Sequence, residues 1–171
     1  MSAPDFTITG LGERQRILLF LHPEKSLGAV AVVDGDSDES IVVKLQALGS
    51  IEGKVVDADG RPWAGLKVAL RPAAPREEYD NLPDEVFGFQ GRFAFHRSPW
   101  YRFLGKDAIT DRDGRFRLTG VLPGVSFNLY VSDGDLAKER TLVDQRSGLA
   151  VHAGKTKDVG ELKARPAAKE E

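Results

Sequence analysis

The sequence predicts an all-β fold, and three observations carry that prediction. Apolar residues recur in short segments rich in β-branched residues and leucine, several of them at alternate positions. Between these segments stand clusters of Asp, Gly and Pro, the residues that tight turns require. Before residue 49, no stretch keeps the i, i+3, i+4, i+7 spacing of an amphipathic helix over three turns.

Taken in order, the first region, residues 5–48, holds four strand-length segments. They are Phe6-Thr-Ile-Thr, Ile17-Leu-Leu-Phe-Leu, Ala29-Val-Ala-Val-Val and Ile41-Val-Val-Lys-Leu, separated by Gly10, by His22-Pro23 and by the Asp34-Gly-Asp-Ser-Asp run. Residues 49–70 read as a hairpin: Ile51, Gly53 and Val55 share one strand face, Asp57 to Pro62 makes the turn, and Leu66, Val68 and Leu70 point inward from the returning strand. A second hairpin is expected over residues 108–124. There Ile109 and Thr110 precede an Asp111 to Gly114 turn, and Phe116 and Leu118 alternate with Arg115, Arg117 and Thr119. Leu122-Pro-Gly closes that strand, and Phe127, Leu129 and Val131 resume the alternation with Asn128 and Tyr130 on the other face. Thr141-Leu-Val, Leu149-Ala-Val-His and Asp158-Val-Gly-Glu-Leu-Lys are three weaker strand segments, and residues 164–171 form a polar tail.

Residues 71–106 break the regular spacing. A connection of this length inside a domain is uncommon unless it is functional or has structure of its own. It holds Tyr79, Phe87, Phe89, Phe93, Phe95, Trp100, Tyr101 and Phe103 among Arg76, Arg92, Arg97 and Arg102. Such rings have little reason to stand in water, so they either cover an open end of a sheet or meet a partner. The Phe pairs also alternate well enough for an extra hairpin turning at Gln90-Gly91.

The chain also repeats itself. Shifted by 110 positions, Phe6-Thr-Ile-Thr-Gly-Leu11 falls on Phe116-Arg-Leu-Thr-Gly-Val121, Ile17-Leu-Leu-Phe-Leu21 on Phe127-Asn-Leu-Tyr-Val131, and Val32-Val-Asp34 on Leu142-Val-Asp144. Residues 1–48 therefore read as the back half of a preceding unit and 49–163 as a whole unit. The alternative is that the N-terminal strands pack onto the complete unit.

Composition excludes several classes. The chain has 171 residues, enough for one ordinary domain and a fragment of another, and no cysteine, which removes disulfides, thiolate zinc sites and cysteine nucleophiles. With 24 basic and 26 acidic residues interleaved, the formal charge of -2 leaves no nucleic-acid footprint. No apolar run approaches the roughly 18 residues that a membrane span needs. Met1 to Asp5 lacks the basic and apolar regions of a signal peptide, so the expectation is a soluble chain with no membrane insertion by this segment.

Four blocks in order carry a family resemblance: Gly53-x-Val55-x-Asp57-x-x-Gly60-x-Pro62, Ala64-Gly-Leu-x-Val68-x-Leu70, Thr110-Asp-x-x-Gly114-x-Phe116-x-Leu118, and Gly120-Val-x-Pro-Gly124. Residues 49–163 resemble the carboxypeptidase regulatory-like domain of the transthyretin-like, or prealbumin-like, superfamily, with 6–48 as a half copy. The resemblance implies a seven-stranded antiparallel Greek-key β-sandwich. It also implies an accessory module of a larger secreted, periplasmic or cell-surface protein, often in tandem with neighbouring domains. The 71–106 insertion is the departure from the compact form.

The residues offer three chemistries. Asp57, Asp59 and Gly60, and likewise Asp111, Asp113 and Gly114, have the spacing of the first half of a calcium loop. Val68 and Leu122 stand where a twelfth-position carboxylate would be needed, so turn geometry is the preferred reading and a calcium-stabilised adhesion module the alternative. The superfamily fold also resembles that of intradiol dioxygenases, whose iron site uses two Tyr and two His. Tyr79, Tyr101, His96 and His152 are available here, but the His-x-His pair of that family is missing. Ser98, His96 and Asp107 make a triad by composition only, with no nucleophile elbow. The expectation is a non-catalytic module without cofactors. Its candidate surface for a protein or carbohydrate ligand is Tyr79, Arg97, Trp100, Tyr101 and Arg102. Trp63 is expected to cap one end of a sheet.

Overall fold

Alternation along each segment sorts side chains into an inward apolar set and an outward polar set, and the strands assemble accordingly. The computed structural model describes residues 6–9, 16–34, 40–73, 107–133 and 146–164. Its strands are β1 (Arg16–His22), β2 (Leu27–Val33), β3 (Gln46–Ala47), β4 (Gly49–Val56), β5 (Lys67–Pro72), β6 (Ala108–Ile109), β7 (Arg115–Val121), β8 (Phe127–Ser132), β9 (Arg146–Leu149) and β10 (Thr156–Lys163).

A three-stranded sheet in the order β10-β4-β7 and a four-stranded sheet in the order β6-β5-β8-β9 enclose the core. Ile51, Val55, Phe116, Leu118, Val121 and Leu162 come from the first sheet, and Val68, Leu70, Phe127, Leu129, Val131 and Leu149 from the second. The protein is an all-β sandwich, and among the described residues these two sheets hold seven strands. Trp63 packs half-buried against the core, at one end of the first sheet.

Both expected hairpins prove to be corners between the sheets. β4 pairs with β7 and β10, whereas β5 pairs with β6 and β8, so the Asp57 turn carries the chain from one sheet to the other. The Asp111 turn does the same between β6 and β7. Thr110 explains the second case. Its backbone N–H donates to the Leu66 carbonyl, its own carbonyl accepts from Gly65 N–H, and its hydroxyl accepts from Leu66 N–H at 2.9 Å while donating to the Trp63 carbonyl at 2.8 Å. Buried to 3% exposure, Thr110 is thereby tied to the chain entering β5 and cannot pair with β7.

One pairing departs from the antiparallel expectation: β10 runs parallel to β4. After β9 the chain crosses back to the first sheet through residues 150–155, and a crossover, unlike a hairpin, can deliver a strand in either direction. The β10 register shifts between Asp158 and Glu161, where Gly160 takes a φ of 72° and donates its N–H to the Asp158 carboxylate.

The third sheet, β1-β2-β3, lies at the N-terminus. Leu19, Leu21, Val30 and Leu48 pack against the sandwich core. At Gly28 the β2 backbone comes so close that a Cβ would stand 2.7 Å from a Leu122 methyl and 2.9 Å from one of Leu48. Phe6–Thr9 and Ile41–Leu45, expected as strands, are not strands: neither finds a ladder partner among the described residues, and Val42 is 98% exposed. The 149–152 segment is corrected as well, because β9 ends at Leu149. Thr141-Leu-Val, the 71–106 ring segments and the polar tail beyond Ala164 lie outside the described residues.

Candidate functional site

The insertion begins and ends on neighbouring strands. β5 runs into it after Pro72, and the chain returns through Asp107 into β6, which pairs antiparallel with β5 as Lys67↔Ile109 and Val68↔Ala108. One further step in that register sets Asp107 opposite Ala69, between the two cationic side chains that β5 turns outward. Lys67 Nζ lies 2.7 Å from one Asp107 carboxylate oxygen and an Arg71 guanidinium nitrogen 3.9 Å from the other. These side chains are only 19%, 14% and 21% exposed for Lys67, Arg71 and Asp107, so water screens the group far less than a surface ion pair.

β8 extends the same outward face through Asn128, Tyr130 and Ser132, which stand opposite Arg71, Ala69 and Lys67. Arg71 also donates to the Leu70 carbonyl at 3.2 Å. Among the described residues, Asn128 Oδ1 is a buried side-chain polar atom without a hydrogen-bond partner. Sequence reasoning missed Lys67, Arg71 and Asn128 and met Asp107 only as a member of a compositional triad. The available signal was the alternation of Lys67 and Arg71 with Val68 and Leu70, which marks both cations as outward and on one face.

The candidate binding residues Tyr79, Arg97, Trp100, Tyr101 and Arg102 lie outside the described residues, as do His96 and Ser98. Their roots are described; their arrangement is not. His22 closes β1 half-buried, and His152 stands exposed before β10.

The acidic turns are placed in full, and they share one hydrogen-bond pattern. Asp57 Oδ1 accepts from Asp59 N–H at 2.9 Å and Arg61 N–H at 2.8 Å, and Asp111 Oδ1 accepts from Asp113 N–H and Arg115 N–H at the same distances. In each turn the Asp backbone N–H donates to the carbonyl four residues on, and the glycine N–H donates back to the Asp carbonyl. The first carboxylate thus serves as a backbone cap, while Asp59 and Asp113 face solvent beside Arg61 and Arg112. Among the described residues no three His, Cys, Asp or Glu side chains stand together as a metal set.

A groove of about 620 Å³ crosses the three-stranded sheet. Arg115 and Arg117 of β7, Glu52 and Lys54 of β4, and Asp158 and Glu161 of β10 line it. Arg117 ties this face together, donating to Glu52 at 3.0 Å, to Ser50 Oγ at 3.2 Å and to Thr156 Oγ1 at 3.3 Å, with the two hydroxyls 2.7 Å apart. One ion pair and three hydroxyl contacts thus tie the three strands together on this face, which is the chemistry of a stabilised polar face.

The class this geometry defines is an all-β sandwich domain with a long insertion rooted at one sheet edge. No family model and no curated protein sequence matches the chain. Among solved structures, it is similar to the TIE protein of Bacillus anthracis at 11% identity and a TM-score of 0.38, over 88% of this chain and 23% of that one. It is similar to a candidate carbohydrate-binding protein of Pseudomonas aeruginosa at 19% identity and a TM-score of 0.36, over 69% of this chain and 89% of that one. A third is the pilus 2b backbone protein of group B streptococcus, at 15% identity and a TM-score of 0.34, over 86% of this chain and 52% of that one. Against the TIE and pilus proteins the chain thus spans only part of the length. Likeness of this degree assigns neither a family nor an activity. Among the described residues, no helix is long and apolar enough to cross a membrane.

Proposed function

We propose that the chain is a non-catalytic module of the carboxypeptidase regulatory-like type, carried by a larger secreted or surface protein, and that it presents the 71–106 insertion to a protein or carbohydrate ligand. The observation that supports this reading most is the anchoring of the insertion. Its two ends spring from hydrogen-bonded strands, and Asp107 at the returning end is held by Lys67 and Arg71. Binding loops work from such rigid roots. The polar side chains buried in the described core fit a scaffold: Ser50 bonds Thr156, and Thr110 bonds the corner at Leu66 and Trp63.

The test is retention on immobilised cellulose, chitin and xylan, together with capture of defined surface proteins. Trp100→Ala is expected to abolish retention while shifting the melting temperature by less than about 2 °C, the scale of a near-neutral surface change. If the substitution unfolds the protein, the rings are core and the binding reading falls. Stoichiometric iron in the purified protein would favour the dioxygenase-like alternative instead.

A further inference from the structure

The repeat register and the structure together single out the segment Phe6–Thr9. Two matched elements agree closely: β1, Arg16–His22, shifted by 110 falls on residues 126–132, and β8 spans Phe127–Ser132. The preceding match behaves differently. Phe116 and Leu118, which correspond to Phe6 and Ile8, are 5% and 1% exposed on β7, whereas Phe6 and Ile8 are 57% and 41% exposed and belong to no strand.

Phe116 and Leu118 are buried in the core shared with the facing sheet, and the strand that carries them is held by β4. It pairs antiparallel with β7, setting Gly53 opposite Phe116 and Ile51 opposite Leu118. The glycine is required there, since a Cβ at Gly53 would stand 3.0 Å from the Phe116 ring and 2.8 Å from a Val159 methyl. Phe6 makes a tilted contact with Phe20, its ring centroid 5.3 Å away. Among the described residues, the same Phe-x-apolar-Thr pattern therefore stands without the strand that pairs with its copy.

We propose that Phe6–Thr9 is an acceptor for an antiparallel strand of the β4 pattern, with a glycine opposite Phe6 and a β-branched residue opposite Ile8, supplied by a neighbouring module. A second folded copy cannot donate its own β4, because β10 and β7 already occupy both edges. Recognition is strand addition: main-chain hydrogen bonds fix the direction, and the apolar pair fixes the register. Ile8 pairs with the position of Ile51, and Thr9 with that of Ser50.

The probe is a capped peptide with the sequence of residues 49–57, titrated into the isotope-labelled full chain and followed by backbone amide NMR. Saturable shifts confined to residues 6–9 and their surroundings are expected. They should be lost with a peptide carrying Asp at its Ile51 position, and lost in Phe6→Asp and Ile8→Asp chains whose melting temperature matches the parent. To cover weak binding in trans, the same peptide sequence fused ahead of Met1 by a flexible Gly-Ser linker should raise amide protection at residues 6–9 at least about tenfold, as the linker supplies a millimolar effective concentration. No response in both formats overturns the proposal, as do shifts centred on β7 and β10. Concentration-dependent dimerisation that Phe6→Asp abolishes also overturns it, because the occupant is then a second copy.

Discussion

Phe116 and Leu118 on β7 are all but invisible to solvent, while Phe6 and Ile8, with the same residue pattern 110 positions earlier, are half in water. The local sequence is nearly the same, so the difference belongs to the neighbours. β7 has β4 beside it and the facing sheet above it, and residues 6–9 have neither among the described residues. An alternating pattern marks a segment that can be a strand. Its burial, and with it most of its free energy, comes from the strand that pairs with it and the sheet that faces it.

Matched substitutions can break this comparison. Leu118→Asp places an unpaired carboxylate among the core side chains and is expected to cost at least about 4 kcal/mol, enough to abolish cooperative folding, whereas Ile8→Asp should stay within about 0.5 kcal/mol. Urea denaturation of both variants checks this, and comparable losses would show that the first segment is as buried as the second. Phe116→Ala should cost about 3–4 kcal/mol through the cavity it leaves, against less than about 1 kcal/mol for Phe6→Ala, whose ring is more than half exposed.

The two corner turns sharpen the comparison on a finer scale. Gly60 and Gly114 have φ of 82° and 73° in turns with one hydrogen-bond pattern, yet a Cβ at Gly60 would meet open space while one at Gly114 would run into the Val55 carbonyl. Gly60→Ala should therefore cost about 1 kcal/mol, the strain of a left-handed alanine, and Gly114→Ala about 3 kcal/mol or more, because the backbone must also shift. Thermal unfolding of the pair reads the difference directly. Asp107→Asn is expected to cost about 1–2 kcal/mol, since the Lys67 contact is four-fifths buried while the Arg71 contact is long. Part of that loss should disappear when the parent is measured in high salt.

The inward and outward assignment of β4, β5, β7 and β8 was legible in the sequence, because a period of two is a local property: Val68, Leu70, Phe127, Leu129 and Val131 are buried as their alternation requires. Pairing was not. An Asp-x-Asp-Gly turn has the same local chemistry whether it closes a hairpin or rounds a corner, and the choice at Asp111 is made by Thr110 bonding residues 44 and 47 positions away. The Lys67, Arg71 and Asp107 group was illegible for a related reason: it exists only once β6 lies beside β5, across the whole insertion. The aromatic composition of the insertion carries no information about the residues that hold its two ends.

The claim that a partner strand, and not the segment's own sequence, makes β7 can be read from amide hydrogen exchange on the intact chain. The amides of residues 116–118 that bond across to β4 should exchange only through global unfolding, while those of residues 7–9 should exchange within about tenfold of an unstructured chain, as expected for a segment outside any ladder. Equal protection of the two segments would contradict the account.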